Sequence, residues 1–319
     1  MIEVADLRKT FTIYRRAGWL RRRRQRVVAV DGVSFTIQAG EIVGYIGPNG
    51  AGKSTTIKML TGILVPSSGR VRVAGLDPAR RRTVLARRIG VVFGNRSLLW
   101  WDLPLRDSFE LLRHIYRVPQ GAYHRRLSEL RELLELEPFL ETPVRQLSLG
   151  QRMRGELTAA LLHGPEVLFL DEPTVGLDIV SKARVRDFLQ DLNGQQGVTV
   201  LLTTHDLSDI ERLCPRMVII DHGRVLYDGG TAEIAARFGA ERTIVVDLTE
   251  TRPALHLAHA SVVRTDGPRQ WIRFRSEETT AAALISAVSE QAQLVDLSIE
   301  EPDIEEVVRR VYMGEAVPA

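Results

Sequence analysis

Cysteine is almost absent from this chain. The single thiol among 319 residues, Cys214 before Pro215, excludes an internal disulfide and a cysteine-rich metal site, and it reads as a small buried residue in a reducing compartment. Long apolar runs are missing too: none approaches the roughly 20 residues that cross a bilayer. No charged start leads into an apolar stretch with a small-residue cleavage site, so membrane association is expected only through a partner or a surface. Charge of one sign is also lacking. Lys and Arg number 43 against 40 Asp and Glu, and a net +3 over this length does not indicate nucleic-acid binding. With 44% hydrophobic and 26% charged residues, the chain can bury one full core and has room for a smaller second domain.

Two separated segments stand out from this even background. The strand-like run Glu41-Ile42-Val43-Gly44-Tyr45-Ile46 feeds Gly47-Pro48-Asn49-Gly50-Ala51-Gly52-Lys53-Ser54, which opens a helix near Lys53. This is the P-loop pattern. Glycines remove the Cβ atoms that would block a loop wrapped around phosphate oxygens, while successive backbone N–H groups and the positive helix end face the anion. Lys53 adds a full charge for the β- and γ-phosphates, and Ser54 offers its hydroxyl to Mg2+. A Gly-rich turn that merely connects strand to helix is the alternative, and the complete pattern in its strand-loop-helix setting argues against it.

Further along, the apolar strand Val167-Leu168-Phe169-Leu170 ends in Asp171-Glu172. Adjacent carboxylates are costly at the end of a buried strand unless a cation or a reacting water needs them there. Asp171 is expected to hold Mg2+, directly or through water. Glu172 is expected to orient and polarise the attacking water, because phosphoryl transfer depends mainly on positioning and charge stabilisation. His205 closes another apolar strand, Val198 to Thr204, and strand ends are where open parallel sheets place ligand chemistry. There it can donate to a γ-phosphate. The alternatives are a solvated strand end for the acidic pair and, for a histidine standing alone, a satisfied structural residue.

A third segment, Leu147-Ser148-Leu149-Gly150-Gln151, has no use in an ordinary P-loop ATPase. With these motifs in this order, residues 1 to about 235 resemble the nucleotide-binding subunit of an ATP-binding cassette (ABC) transporter. The resemblance implies ATP binding and hydrolysis with Mg2+ in a head-to-tail dimer, either a homodimer or a pair of ATPase subunits. In that dimer the signature residues Ser148, Gly150 and Gln151 of one subunit close over the γ-phosphate held by the P-loop of the other. Leu149 stands where a glycine is commonest, and Ser148 reads equally as a helix N-cap. Thr55 takes the phosphate-facing position after Ser54. Phe11 is similar to the family's adenine-stacking aromatic, with Tyr14 as second candidate and a plain core aromatic as the alternative. Asp178, in the turn Gly176-Leu177-Asp178, resembles a residue that communicates across the dimer, or is simply a helix-start carboxylate. After Ile89 to Phe93 the family places a glutamine that touches Mg2+ and the water. Here Asn95 carries the same amide one methylene shorter, and it is assigned to the catalytic and metal site unless it only forms a turn.

The expected fold is α/β: a P-loop NTPase domain of ABC type with a mostly parallel core sheet, an antiparallel β subdomain and a helical subdomain at about 97–147, followed by an accessory domain at 236–319. Residues 1 to about 40 read as short β segments, and Leu105 to Tyr116 and Leu127 to Leu136 carry helical spacing. In the last part, strands at Thr243–Leu248, Ser261–Arg264, Trp271–Phe274 and Leu294–Leu297, a helix at Thr279–Gln291 and a short helix near Pro253–His259 give β-α-β-β-α-β, the split ferredoxin-like order. Glu301 to Val307 looks like a closing helix. This domain is expected to hold subunits together or regulate them.

Arg15 to Arg26 is a basic run interrupted by Trp19 and Leu20. It suits an anionic lipid surface or an acidic patch on a permease, or is a solvated hairpin insertion. Trp100 and Trp101 sit where the family contacts its transmembrane partner, with core packing as the alternative. The stretch from Gly94 to Pro104 resembles ATPases paired with ABC-2-type exporter permeases of the viologen and daunorubicin kind. The leading expectation is therefore a cytosolic-face ATPase subunit that drives export of a hydrophobic or cationic compound through a separate permease. A soluble ABC ATPase acting on ribosomes or DNA, and a nucleotide-binding regulator without turnover, are the competing readings.

Overall fold

Apolar and polar residues alternate from Ile2 onward and lay down two long antiparallel strands, β1 (Ile2–Arg16) and β2 (Arg22–Ile37), where the sequence predicts short segments. The computed structural model describes residues 1–16, 22–94, 96–238, 241–275, 278–300 and 304–313. Asp6, at φ 49°, sits in an irregularity of β1 between Val4 and Leu7 that returns Leu7 to the buried face. On its other side β1 pairs with β4 (Ser68–Val73), giving a three-stranded antiparallel sheet of order β2-β1-β4. Beyond the Arg8 to Ser68 pairing the β1-β2 hairpin runs on as a two-stranded ribbon.

Runs that are apolar on both faces, without polar alternation, make central parallel strands, because both faces are covered. β3 (Ile42–Ile46), β6 (Val167–Asp171) and β7 (Thr199–Thr203) are of this kind and almost wholly buried. With β5 (Ile89–Phe93), β8 (Arg216–Asp221) and β9 (Arg224–Gly230) they form a six-stranded sheet of order β5-β6-β7-β3-β8-β9. The last strand, β9, has only the short apolar run Val225-Leu226-Tyr227 and was not foreseen. It is set by the turn His222-Gly223, whose φ values of 48° and 77° match a two-residue hairpin. Val43, Tyr45, Phe169 and Leu201 of this sheet share a core with Ile2, Leu7 and Val33 of the antiparallel one. Each such buried side chain contributes roughly 1.5–3 kcal/mol.

Helices α1 (Lys53–Leu60) and α2 (Arg82–Leu85) precede the helical region. There α3 (Leu105–Tyr116) falls where the spacing predicts it, ending at Arg117 in the left-handed region. The helix predicted from Leu127 starts earlier, as α4 (Gln120–Leu133), because Pro119 supplies the N-cap; Glu135, at φ 47°, turns the chain away after it. α5 (Leu149–Leu161), α6 (Ile179–Gln196) and α7 (Leu207–Leu213) follow.

Contacts divide the chain into two units, Met1–Asp228 and Gly229–Ala319. The second holds α8 (Thr231–Phe238), β10 (Glu241–Leu248), β11 (Ala260–Asp266), β12 (Arg269–Arg275), α9 (Ala281–Gln291), β13 (Leu294–Glu300) and α10 (Ile304–Tyr312). Its antiparallel sheet has order β11-β12-β10-β13, the ferredoxin-like arrangement, with α9 packing Leu284 and Val288 on Ile244, Val246 and Phe274. The short helix predicted near Pro253–His259 does not form. Leu255 and Leu257 pack on the core two residues apart, a strand-like spacing. Buried Gln270 holds this stretch as a loop, accepting from Leu255 N at 3.0 Å and donating to the carbonyls of Arg252 and Pro253. Among the described residues no helix is long and apolar enough to cross a membrane.

Candidate functional site

Strands β5, β6, β7 and β3 lie side by side and parallel, so the segments that leave their carboxyl ends emerge along one edge of the sheet. Those segments start at Gly94, Glu172, Thr204 and Gly47. The topology thus gathers motifs that lie far apart in sequence.

The loop Gly47 to Gly52 is shaped by contact with backbone behind it. A Cβ on Gly47 would lie 2.4 Å from the Ile220 carbonyl oxygen, and one on Gly52, at φ 108°, would lie 2.5 Å from that of Ala29. Only glycine fits either place. Pro48, Asn49 and Gly50 form the exposed crest, closed by Ala51 N donating to Pro48 O at 3.1 Å. Lys53 is 8% exposed, and its Nζ donates to Gly47 O at 2.5 Å and to Pro48 O at 3.2 Å. Burial pushes its pKa down, against the opposing charges of Glu172 and Asp171. Ser54 and Thr55 follow on the first turn of α1, half-buried.

Asp171 is oriented from both sides. Ser54 Oγ donates to its Oδ2 at 3.2 Å, and Thr203 Oγ1 donates to its Oδ1 at 2.6 Å. Glu172 adopts φ 57°, a strained backbone for a side chain of this size, and is held there by its N–H donating to Thr203 O at 2.8 Å. Its Oε1 stands 3.5 Å from His205 Nδ1, with His205 largely exposed. Gly94 N donates to Asp171 O at 2.9 Å, bringing the end of β5 to the same point. Asn95 itself lies outside the described residues.

The remaining predicted residues form a second cluster. Ser148 caps α5 in a reciprocal box with Gln151: Gln151 N donates to Ser148 Oγ at 3.2 Å, and Ser148 N donates to Gln151 Oε1 at 2.9 Å. Asp178 caps α6, accepting from Ser181 N at 2.9 Å and Ser181 Oγ at 2.7 Å, and these bonds hold its carboxyl below the usual range. The two caps touch. A Cβ on Gly150 would lie 2.6 Å from Ser181 Oγ, so the glycine is needed for packing within one chain. Sequence reading treats Gly150 and Asp178 separately and gives no hint that Ser181 joins them. Among the described residues no hydrogen bond or ion pair connects this cluster to the P-loop cluster. Phe11 lies on β1, half-buried, with Lys9 Nζ 5.3 Å from its ring centre. The side chain of Tyr14 lies outside the described residues.

Thr203 is the residue that sequence reasoning missed, although the Thr203-Thr204 pair just before His205 carries a signal: two hydroxyls ending a buried strand need acceptors. A buried lysine under a glycine loop, facing a carboxylate pair at a nearby strand end, defines a P-loop nucleoside triphosphatase. The ABC transporter family profile matches residues 30–175. The chain is 34% identical to the daunorubicin resistance ATP-binding protein DrrA3 of Streptomyces coeruleorubidus, over 88% of this chain and 89% of that one. It is 30% identical to the linearmycin resistance ATP-binding protein LnrL of Bacillus subtilis (strain 168), over 86% and 91%. Among solved structures, an ATP-binding subunit of an ABC transporter superposes with TM-score 0.63 at 29% identity, covering 75% of this chain and 93% of that one. A dimeric ATP-binding cassette in a post-hydrolysis state with ADP and Pi gives 0.61 at 26% identity, covering 72% and 98%. The chain belongs to the ABC transporter ATP-binding family and is an ATPase subunit.

Proposed function

We propose that this ATPase energises export of a small hydrophobic or cationic compound through a separate ABC-2-type permease, bound peripherally at the cytoplasmic face of the membrane. The observation that carries the permease reading is the Trp100-Trp101 pair. Both residues remain substantially exposed, at 38% and 53%, although the backbone beneath them is fixed by Trp100 N donating to Ser108 Oγ at 3.1 Å and Arg145 N donating to Trp101 O at 3.0 Å. Two rigidly presented tryptophans one residue after another fit a protein partner better than water. The resistance names of the relatives support the export direction.

At the nucleotide, Lys53 and the Gly47–Gly52 amides hold the phosphates, Glu172 orients the water and His205 donates to the γ-phosphate. Ser54 and Asp171 present a hydroxyl and a carboxylate to each other at 3.2 Å, a hard oxygen pair of the kind that suits Mg2+. When bound, Mg2+ supplies charge neutralisation for phosphoryl transfer. The Ser148–Gly150 cap of a second copy covers the γ-phosphate, using the first-turn amides that precede the helical ladder. Arg24 and Arg26, exposed on the β1-β2 ribbon, contribute a contact with anionic lipid headgroups.

Affinity capture of the full chain from detergent-solubilised membranes tests the assignment. Recovery of a multi-spanning permease, lost on Trp100→Ala with Trp101→Ala, is the expected result. Salt-resistant recovery with ribosomes and no membrane protein would overturn it.

A further inference from the structure

Behind the Glu172–His205 pair lies a buried carboxylate that the site described so far does not use. Asp209, on α7, has no exposed surface, yet donors from three separate segments converge on it. Thr174 Oγ1 donates to its Oδ2 at 2.5 Å, Thr204 Oγ1 approaches the same oxygen at 3.5 Å, and Arg186 Nε, from α6, donates to its Oδ1 at 2.5 Å. Thr174 and Thr204 are themselves 1% exposed.

Stability alone does not require this arrangement, since buried ion pairs are often replaced by apolar residues at no loss. Its placement is what distinguishes it. Thr174 stands two residues after Glu172, and between them Pro173 fixes one backbone torsion. Thr204 stands immediately before His205. One carboxylate therefore grips both segments that carry the facing side chains, while the left-handed backbone of Glu172 persists only if its surroundings over-determine it.

We propose that Asp209 is a positioning residue for ATP hydrolysis: through Thr174 and Thr204 it sets the separation of Glu172 and His205. The inference rests on Glu172 being the water-orienting carboxylate. Arg186 neutralises the Asp209 charge in the interior and links the grip to α6, whose cap is Asp178.

The test is steady-state ATPase kinetics on the full chain with Thr174→Val, Thr174→Ser and Asp209→Asn, beside thermal melting. Misplacement by about 1 Å can cost about 100-fold in rate, so Thr174→Val is expected to lower kcat by tenfold or more. The KM for ATP should hold within about twofold, because the phosphate-binding loop is untouched. Thr174→Ser, which keeps the hydroxyl, restores turnover. In a Glu172→Gln background the residual single-turnover rate is indifferent to Thr174→Val. Parent kcat in both Thr174→Val and Asp209→Asn would overturn the inference alone, as would an equal loss in the Glu172→Gln background. Parent turnover in Glu172→Gln by itself would remove the reading of Glu172 and the inference with it. If Asp209→Asn does not fold, Thr174→Val still decides.

Discussion

Ser54 Oγ donates to Asp171 Oδ2 at 3.2 Å, joining two residues 117 positions apart in the chain. One belongs to the first turn of α1, the other is the last residue of β6, and β3, the strand that leads into α1, is separated from β6 by β7. The bond exists because every strand in this part of the sheet runs in the same direction, which delivers the helix start and the acidic strand end to one edge.

Glu172→Gln keeps the shape of the side chain and removes its charge. ATP binding is expected to persist, because Lys53 and the glycine loop are unchanged, while turnover falls by about 100-fold or more. With hydrolysis blocked, two copies should stay closed on ATP. Size-exclusion chromatography with and without ATP reads the trapped dimer, and phosphate release reads the rate. A monomer in ATP at concentrations that saturate binding would count against a sandwich built from two copies.

Much of the first cluster was legible because its signals are local. Lys53 and Ser54 fall within one eight-residue pattern, and Asp171-Glu172 ends an apolar strand; each needs only its immediate neighbours to be read. Contacts across elements were not legible. Nothing local tells that Gly150 must be glycine to clear Ser181, or that Gln270 replaces a predicted helix by a loop, since both depend on side chains from strands or helices distant in sequence. The same holds for β9, whose short Val225-Leu226-Tyr227 run is laid beside β8 by the His222-Gly223 turn.

Gly150→Ala tests the contact between the two helix caps. The new methyl would meet Ser181 Oγ at 2.6 Å and Ser181 Cβ at 3.1 Å, and the hydroxyl cannot swing away without giving up Asp178. The strain is expected to be about 1–2 kcal/mol. ATP-dependent dimer formation should weaken, and Ser181→Gly should recover most of it by clearing the space. Loss in Gly150→Ala that Ser181→Gly leaves untouched would show that the methyl acts elsewhere, for instance on a bound phosphate.

Gln270→Leu keeps the volume of a fully buried side chain and abolishes its bonds to Leu255 N, Arg252 O and Pro253 O. Each backbone group left unsatisfied costs about 1–3 kcal/mol unless water reaches it, so the loop should open locally to solvent. Hydrogen exchange at Leu255 is expected to rise sharply, with ATPase kcat changed little because the site lies in the first unit. Unchanged protection there would mean that Leu255 and Leu257 packing alone holds the loop.

His163 gives the chain an acid-sensitive element. Its ring stacks on Tyr116 at 4.1 Å between centres and its Nε2 donates to Ile89 O at 2.9 Å, while Nδ1 is buried and has no partner among the described residues. Burial is the main cause that pushes its pKa down to about 4, with nearby Arg126 acting in the same direction. In the unfolded chain an imidazole takes up its proton near pH 6.5, whereas the folded chain refuses it until far lower pH. The contribution of His163 to folding stability is therefore flat above neutral pH and declines as pH falls from about 6.5 toward 4, by at most roughly 3–4 kcal/mol. His163→Phe preserves the stack and cannot titrate. Urea unfolding at pH 7.5 and pH 5 should show a smaller difference in stability for the variant than for the parent, whatever the variant loses at pH 7.5 through the missing bond to Ile89. An identical pH difference in both proteins would assign the acid sensitivity to other groups.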